Sequence, residues 1–230
     1  MGEASDTSPH YLGHRQRLRE RFLAAGGDSL PDYEMLELVL SLALRRGDVK
    51  PLAKALLQRF GSYADVIAAE PAALVEVKGV GEGVIAALKI VQSAAVRLAR
   101  QQVVGKEVLS NWQQLLDYCQ ARMGREGTEE FHVLYLNRKN VLIRDERQQR
   151  GTVDHTPVYP REVVKRALEL GATALIMVHN HPSGDATPSR GDIEMTREIK
   201  EVGEKLGIQL HDHVIVGRAG TNSFRSLGLL

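Results

Sequence analysis

Two histidines and an aspartate in the second half of the chain have the spacing of a metal site. His179 and His181 directly follow the apolar run TALIMV, and alternate residues of an extended chain point to the same side. Asp192 lies at the start of the next predicted helix, and the turn-rich loop after Pro182 can bring it back beside the strand. Two histidines and one carboxylate form a typical catalytic zinc site with a fourth position for water. We therefore expect one Zn²⁺ per chain.

Part of this pattern also has a purely structural interpretation. Ser189 and Asp192 have the spacing of a capping box, with Ser189 as the N-cap and Asp192 three residues later. A His-x-His pair on its own is more often structural than ligating. The combination of two histidines, a proline stop, a loop and an aspartate at a helix start favours metal binding.

The same residues resemble the JAMM motif of JAB/MPN metalloproteases, in which Glu precedes His-x-His-Pro-x6-Ser-x2-Asp. This chain has His179-Asn-His181-Pro182, six further residues, Ser189, two residues and Asp192. The sequence HNHPSG, with PREVVKRAL upstream and DHVIVG downstream, resembles the corresponding motifs of the RadC family of bacterial proteins. The resemblance covers nearly the whole chain after about residue 10.

The resemblance implies a role for each residue of the motif. His179, His181 and Asp192 would bind zinc, and Ser189 would donate a hydrogen bond to the oxyanion while also capping its helix. An upstream glutamate would act as the general base. Glu129 and Glu130 are both candidates and would face opposite sides of a strand. Members of the family usually have the motif Glu-x-Phe here, and matching its Phe to Phe131 makes Glu129 the general base.

A second His-x-His pair lies further along the chain. His211 and His213 flank Asp212 and could indicate a second metal, but the resembling family has only Asp-His here. We therefore expect Asp212 and His213 to support the zinc site from behind its ligands. His155 lies in a predicted loop that could line the edge of the cleft.

The first half of the chain contains a possible phosphate-binding turn. VKGVGEGVIAALK resembles a helix-hairpin-helix element, in which glycines leave backbone N–H groups exposed beside a helix N-terminus. Such an element would bind DNA without reading its sequence. The candidate contacts are Lys78, Gly79, Gly81, Gly83, Lys89 and Arg97. The alternative is a glycine-rich helical hairpin that only packs.

Composition limits the remaining possibilities. The net charge is +1, so any contact with nucleic acid must come from local patches. No apolar run is long enough to span a membrane, and the single cysteine, Cys119, excludes an internal disulfide. We expect Cys119 to pack in a core and the protein to be cytoplasmic.

The arrangement of elements predicts an α+β protein in two parts. Residues 10–102 have helical periodicity, which predicts an all-helical domain, and the resemblance of VKGVGEGVIAALK implies that it is a helix-hairpin-helix domain. Residues 107–230 alternate strands and helices, which predicts a three-layer α/β/α domain. The resemblance implies that this domain is of the MPN (cytidine-deaminase-like) kind.

Two functions follow from these patterns. The first is a RadC-type zinc-dependent hydrolase acting on peptide or isopeptide bonds of a protein substrate, associated with DNA repair by the label of its family. The alternative is a DNA-binding module whose metal domain serves recognition. A zinc deaminase is the weakest choice, because such enzymes use cysteine ligands.

Overall fold

The computed structural model describes residues 13–150 and 158–230, without the side chains of residues 149 and 150. His155 therefore lies outside the described residues. The chain divides into two compact units, Met1–Ser93 and Ala94–Leu230. The predicted domain limits, 10–102 and 107–230, remain a prediction.

Helices joined by short turns make up the described part of the first unit. They are α1 (His14–Ala25), α2 (Asp32–Ala43), α3 (Lys50–Phe60), α4 (Tyr63–Ala68), α5 (Pro71–Val75) and the first part of α6 (Glu82–Gln101), with a 3-10 turn at Gly27–Ser29. Their apolar stripes converge on one core that includes the fully buried Leu40, Leu56 and Leu88. Burial of these stripes, rather than helix propensity, supplies most of the stability of such short helices.

A mixed sheet with helices on both faces forms the second unit. Its elements are α7 (Trp112–Met123), β1 (Glu130–Leu136), β2 (Leu142–Arg150), α8 (Pro160–Glu169), β3 (Ala174–Asn180), α9 (Arg190–Lys205), β4 (Gln209–Val216) and β5 (Thr221–Ser223). The strand order is β2-β1-β3-β4-β5, and only β3 and β4 are parallel neighbours. The predicted fold class, a helical part followed by an α/β/α domain, is confirmed.

Strand β3 is buried on both faces and separates two cores. Its even-numbered residues, such as Ile176 and Val178, pack with α7. Its odd-numbered residues, such as Leu175 and Met177, pack with α8 and α9. Continuing this alternation places His179 and His181 on the α9 side, and Asn180 on the α7 side.

Two features lie at the sheet edges. A turn at Asn137–Asn140 joins β1 to the edge strand β2, and Asn140 has a positive φ of 54° there. The three-residue β5 at the other edge carries no apolar alternation and was not predicted from the sequence. No described helix combines the length and the apolar character needed to cross a membrane.

Replacing the central Ile176 by alanine tests the importance of the α7-side core. Ile176 is fully buried, so Ile176→Ala should lower the free energy of unfolding by about 2–5 kcal/mol. Ile143→Ala removes the same atoms from the partly exposed edge strand β2 and should cost much less. Urea titration followed by the fluorescence of Trp112, the only tryptophan, reports on this core. An equal decrease in the free energy of unfolding in the two variants would contradict the conclusion that Ile176 lies in a tightly packed core.

Candidate metal centre

His179 and His181 lie where β3 ends and project toward α9. His179 is fully buried, and its ring stacks on Phe131 of the neighbouring strand with centroids 5.8 Å apart. His181 is half-buried in the loop beyond the strand. Their Nε2 atoms lie 3.0 Å from each other, so the two rings converge on one point.

Asp192 reaches the same point from the first turn of α9. Its Oδ1 lies 3.2 Å from Nε2 of His179, and its Oδ2 lies 3.5 Å from Nε2 of His181. The predicted capping box is present: Asp192 N–H donates to Oγ of Ser189, and Ser189 N–H donates to Oδ2 of Asp192. The cap therefore holds the carboxylate in the orientation that faces the histidines.

A chain of hydrogen bonds determines which nitrogen of His179 carries hydrogen. The Thr196 hydroxyl lies 2.5 Å from the Asp192 carbonyl oxygen, which can only accept, so Thr196 donates its hydrogen there. Nδ1 of His213, 2.6 Å from the same hydroxyl, must then be the donor to Thr196. Nε2 of His213 is left to accept from Nδ1 of His179, 2.8 Å away. The Nε2 lone pair of His179 is consequently directed at the site.

His213 must be neutral for this chain to work. Its burial, followed by its proximity to His179, lowers the pKa of His213 well below its ordinary value. A neutral imidazole has one donor and one acceptor nitrogen, as the chain requires.

A simpler contact gives His181 the same tautomer. Its Nδ1 donates to the carbonyl oxygen of Asp185 at 2.7 Å, so Nε2 carries the lone pair. The hydrogen bond with Asp192 raises the pKa of His181 above its ordinary value, against the opposing effect of burial. Nε2 of this ring thus takes either a proton or a metal ion, and a metal must displace the proton.

The three side chains fit a tetrahedral zinc ion. Ligand atoms at the usual zinc distances lie about 3.3 Å from one another in such a geometry. The separations of 3.0, 3.2 and 3.5 Å agree with that spacing. Among residues 13–150 and 158–230, His179, His181 and Asp192 are the one set of His, Cys, Asp or Glu side chains whose donor atoms converge in this way. Cys119 is buried in the α7-side core, as expected.

Glu129 and Glu130 have different surroundings. The register pairs Phe131 with His179, and continuing it by two residues places Glu129 opposite His181. The charge of Glu129 helps to raise the pKa of His181, although less than the hydrogen bond with Asp192 does. Glu130 is buried on the α7 side, where Arg147 donates to Oε1 at 2.9 Å and His132 lies 3.4 Å from Oε2.

The environment of Glu130 makes it a poor proton acceptor. Burial acts to raise the pKa of Glu130, but hydrogen bonds from His132 and Arg147 and the charge of Arg122 lower it to about 2. A general base works best with a pKa near the operating pH. Continuing the register therefore places Glu129, and not Glu130, on the side of the sheet where His181 lies.

The second His-x-His pair does not form another metal centre among the described residues. A bulge in β4 after Leu210 turns His213 toward His179, whereas His211 bonds Oδ1 of Asn140. Asp212 accepts hydrogen bonds from the backbone N–H of His213, from the Ser223 hydroxyl and from the N–H of Arg225. Asp212 therefore holds the end of β5 and the residues that follow it against β4.

The predicted DNA contacts are placed unequally. Lys78 and Gly81 are exposed at the turn before α6, and Gly79 has a positive φ of 96° there, which glycine permits. Gly83 lies in the exposed first turn of α6, and Arg97 is exposed further along α6. Lys89, by contrast, donates to the carbonyls of Ile67 and Ala68 and to Gln92, so its ammonium group caps α4. The expectation that Lys89 contacts DNA is not supported by this arrangement.

Two residues of the site were missed by sequence reasoning. Thr196 lies four residues after Asp192, on the same face of a helix, which is a usable signal. Asn180 stands between the two histidines, but its orientation depends on contacts that only the fold creates.

Comparisons with known proteins agree with the observed architecture. Residues 109–229 match the family model described as RadC-like JAB domain, and residues 10–86 match the UPF0758 N-terminal model. A UPF0758 protein of Rhodobacter capsulatus is 62% identical over 93% of this chain and 100% of its own length. A UPF0758 protein of Ruegeria pomeroyi is 58% identical over 96% of this chain and 100% of its own length.

Removing the Thr196 hydroxyl tests the hydrogen-bond chain. Thr196→Val keeps the shape of the side chain but leaves Nδ1–H of His213 without its acceptor, so we expect zinc affinity to fall by about 10–100-fold. Thr196→Ser retains the hydroxyl and should stay near the wild-type affinity. Competition with a chromophoric chelator measures both values. Unchanged affinity in Thr196→Val would contradict this role.

Proposed function

The chain belongs to the family of proteins with a RadC-like JAB domain, and we propose that it is a zinc-dependent hydrolase of peptide or isopeptide bonds. The observation that carries this proposal is the convergence of two Nε2 lone pairs and the Asp192 carboxylate at tetrahedral spacing. Two imidazole lone pairs 3.0 Å apart repel each other unless a proton or a metal ion lies between them, and the metal ion also engages the Asp192 carboxylate. The donor set is the one that catalytic zinc uses.

Zinc bound by these ligands would supply Lewis acidity, which makes a water acidic enough to lose its proton near neutral pH. Glu129 lies on the same side as His181 and would accept that proton and later deliver it to the leaving amine. Ser189 is exposed at the start of α9, and its hydroxyl would donate to the oxyanion that develops on the substrate carbonyl.

A peptide or isopeptide carbonyl suits this arrangement better than the alternatives considered. The reaction needs one proton acceptor, one hydroxyl donor and a metal, which Glu129, Ser189 and an ion held by the three ligands would supply. The single cysteine, Cys119, is buried in the α7-side core, so the three ligands are not joined by a thiolate of the kind that zinc deaminases use. The expected cytoplasmic location remains a prediction.

Substituting the two neighbouring glutamates separately tests the general base. Glu129→Gln should retain zinc and lower the rate of peptide cleavage by about 10²–10⁴-fold, the usual contribution of a general base. Glu130→Gln should lower the free energy of unfolding, because it disturbs a buried ion-pair network, and it should lower the rate of cleavage far less than Glu129→Gln does. Zinc content by elemental analysis and cleavage of a peptide library give the two readouts.

Two results would count against this assignment. Full cleavage by Glu129→Gln would remove Glu129 from the reaction. Loss of cleavage in Glu130→Gln alone, with zinc retained, would transfer the role to Glu130.

DNA association remains a second proposal for the helical unit. It is favoured by the exposure of Lys78, Gly79 and Gly81 in the turn before α6, because an accessible helix N-terminus suits a phosphate. It would link the hydrolase to DNA repair, as the family label suggests.

Salt dependence provides the test of DNA association. We expect the full chain to bind a labelled DNA duplex at low salt, with an affinity that falls steeply as salt rises. Lys78→Ala should reduce the slope of log affinity against log salt by about 1. Fluorescence anisotropy measures both, and no binding at low salt would exclude this proposal.

A further inference from the structure

The side chain of Asn180 connects the strand of metal ligands to the segment that carries Glu129. Asn180 is 1% exposed and lies on the α7 side of the sheet, opposite to its two neighbouring histidines. Its Oδ1 accepts the backbone N–H of Glu130 at 2.8 Å. Its Nδ2 donates to the carbonyl oxygens of Glu126 at 3.3 Å and Thr128 at 3.1 Å.

These bonds lie on both sides of Glu129. The carbonyl of Thr128 belongs to the peptide unit before Glu129, and the N–H of Glu130 belongs to the unit after it. A planar peptide unit leaves only φ and ψ free at each residue. By holding one atom of each flanking unit, Asn180 restricts both dihedrals of Glu129 and therefore the direction of its Cβ.

Only an amide can make all three bonds at this position. Its oxygen accepts from an N–H, and its nitrogen donates to two carbonyls, so the partners also determine which end of the amide is which. A carboxylate would keep the acceptor but place negative charge against two carbonyl oxygens. An apolar side chain would leave one buried donor and two acceptors without this partner.

The side chain of Glu130 anchors the same segment at a second point. Its carboxylate bonds Arg147 and lies beside His132, whose Nδ1 is 2.8 Å from Asp145. Glu130 is thereby held on the α7 side by its side chain and by its backbone N–H. The preceding residue, Glu129, is left to project to the α9 side, where His181 lies.

We propose that Asn180 is a positioning residue for Glu129, which it aims at the metal centre from the opposite face of the sheet. The proposal rests on the proposed function of Glu129 as the general base. The end of β3 then contributes to both parts of the catalytic geometry: His179 and the adjoining His181 bind the metal, and Asn180 between them places the base. A displacement of about 1 Å in such a group can lower a rate by about 10²-fold.

The geometric part is tested in the metal-free full chain by amide hydrogen exchange. Asn180→Leu, which is close to isosteric, should accelerate exchange of the Glu130 amide by about tenfold or more, because that amide loses a buried acceptor. Asn222→Leu is the matched control, since it removes an amide that donates to Ala186 in the loop after His181. It should leave exchange at Glu130 unchanged.

The coupling to the metal centre is tested with Co²⁺-loaded protein. The visible spectrum of bound Co²⁺ is followed against pH in Asn180→Leu, Glu129→Gln and the double variant. Asn180→Leu should shift the pKa seen in the spectrum in the same direction as Glu129→Gln. In the double variant it should add nothing, because the group it positions is no longer a carboxylate.

The outcomes separate this proposal from the proposed function. Unchanged exchange at Glu130, or a cobalt shift that adds in full to that of Glu129→Gln, would overturn the positioning role. Faster exchange at Glu130 together with a non-additive shift of the cobalt pKa would support the positioning role, even if the wild type cleaved no peptide. Absence of peptide cleavage would count only against the proposed hydrolase activity.

A second variant, which retains one of the three hydrogen bonds, keeps the proposal testable if Asn180→Leu does not fold. If Asn180→Leu lacks the native fluorescence of Trp112, Asn180→Asp takes its place, since it keeps the acceptor for Glu130 N–H and loses both donors. It should preserve protection at Glu130 while still shifting the cobalt pKa. A wild-type cobalt profile in Asn180→Asp would overturn the proposal.

Discussion

Two imidazole lone pairs directed at each other across 3.0 Å form the constraint around which the second unit is organised. Neither ring is free to turn its hydrogen into the gap, because each Nδ1 is already a donor. For His179 the direction of donation is imposed from a distance by the carbonyl of Asp192. That carbonyl orders the hydroxyl of Thr196 and, through it, the ring of His213. The backbone of α9 thus determines the chemistry of a ring on β3.

Asp192 contributes to the site in three separate ways. Its side chain faces both histidines, its N–H and carboxylate complete the helix cap with Ser189, and its carbonyl ends the hydrogen-bond chain. Because one residue at a helix start performs all three, the ligand geometry and the beginning of α9 cannot be changed independently. The opposite face of the sheet carries the polar network of Glu130, His132 and Asp145, which is separate from the set of His179, His181 and Asp192.

The sequence was most informative where function depends on local spacing. The His-x-His pair at a strand end, the capping box and the helical first half follow from periodicities of two and about four residues, and the structure contains all of them. The choice between Glu129 and Glu130 was different, because alternation says only that they face opposite sides. The register of β1 against β3, a long-range property, relates those sides to His181. The short β5 was missed because three polar residues carry no pattern.

Side-chain partners set the limit of what sequence reasoning could predict. Lys89 has the spacing of a phosphate contact on a helix face, yet the fold places the end of α4 beneath its ammonium group. In the sequence, Asn180 is only the residue between the two histidines of the motif. In the structure, it donates hydrogen bonds to carbonyl groups more than fifty positions away. Such contacts arise from tertiary proximity, which no local pattern records.

The central claim is that His179, His181 and Asp192 bind one zinc ion, and X-ray absorption at the zinc edge of the purified full chain tests it most directly. The structure predicts one zinc per chain with two imidazole nitrogens and oxygen donors at about 2.0–2.2 Å and no sulfur. A chain without zinc at neutral pH, or a spectrum with sulfur or a single imidazole in the coordination shell, would contradict it.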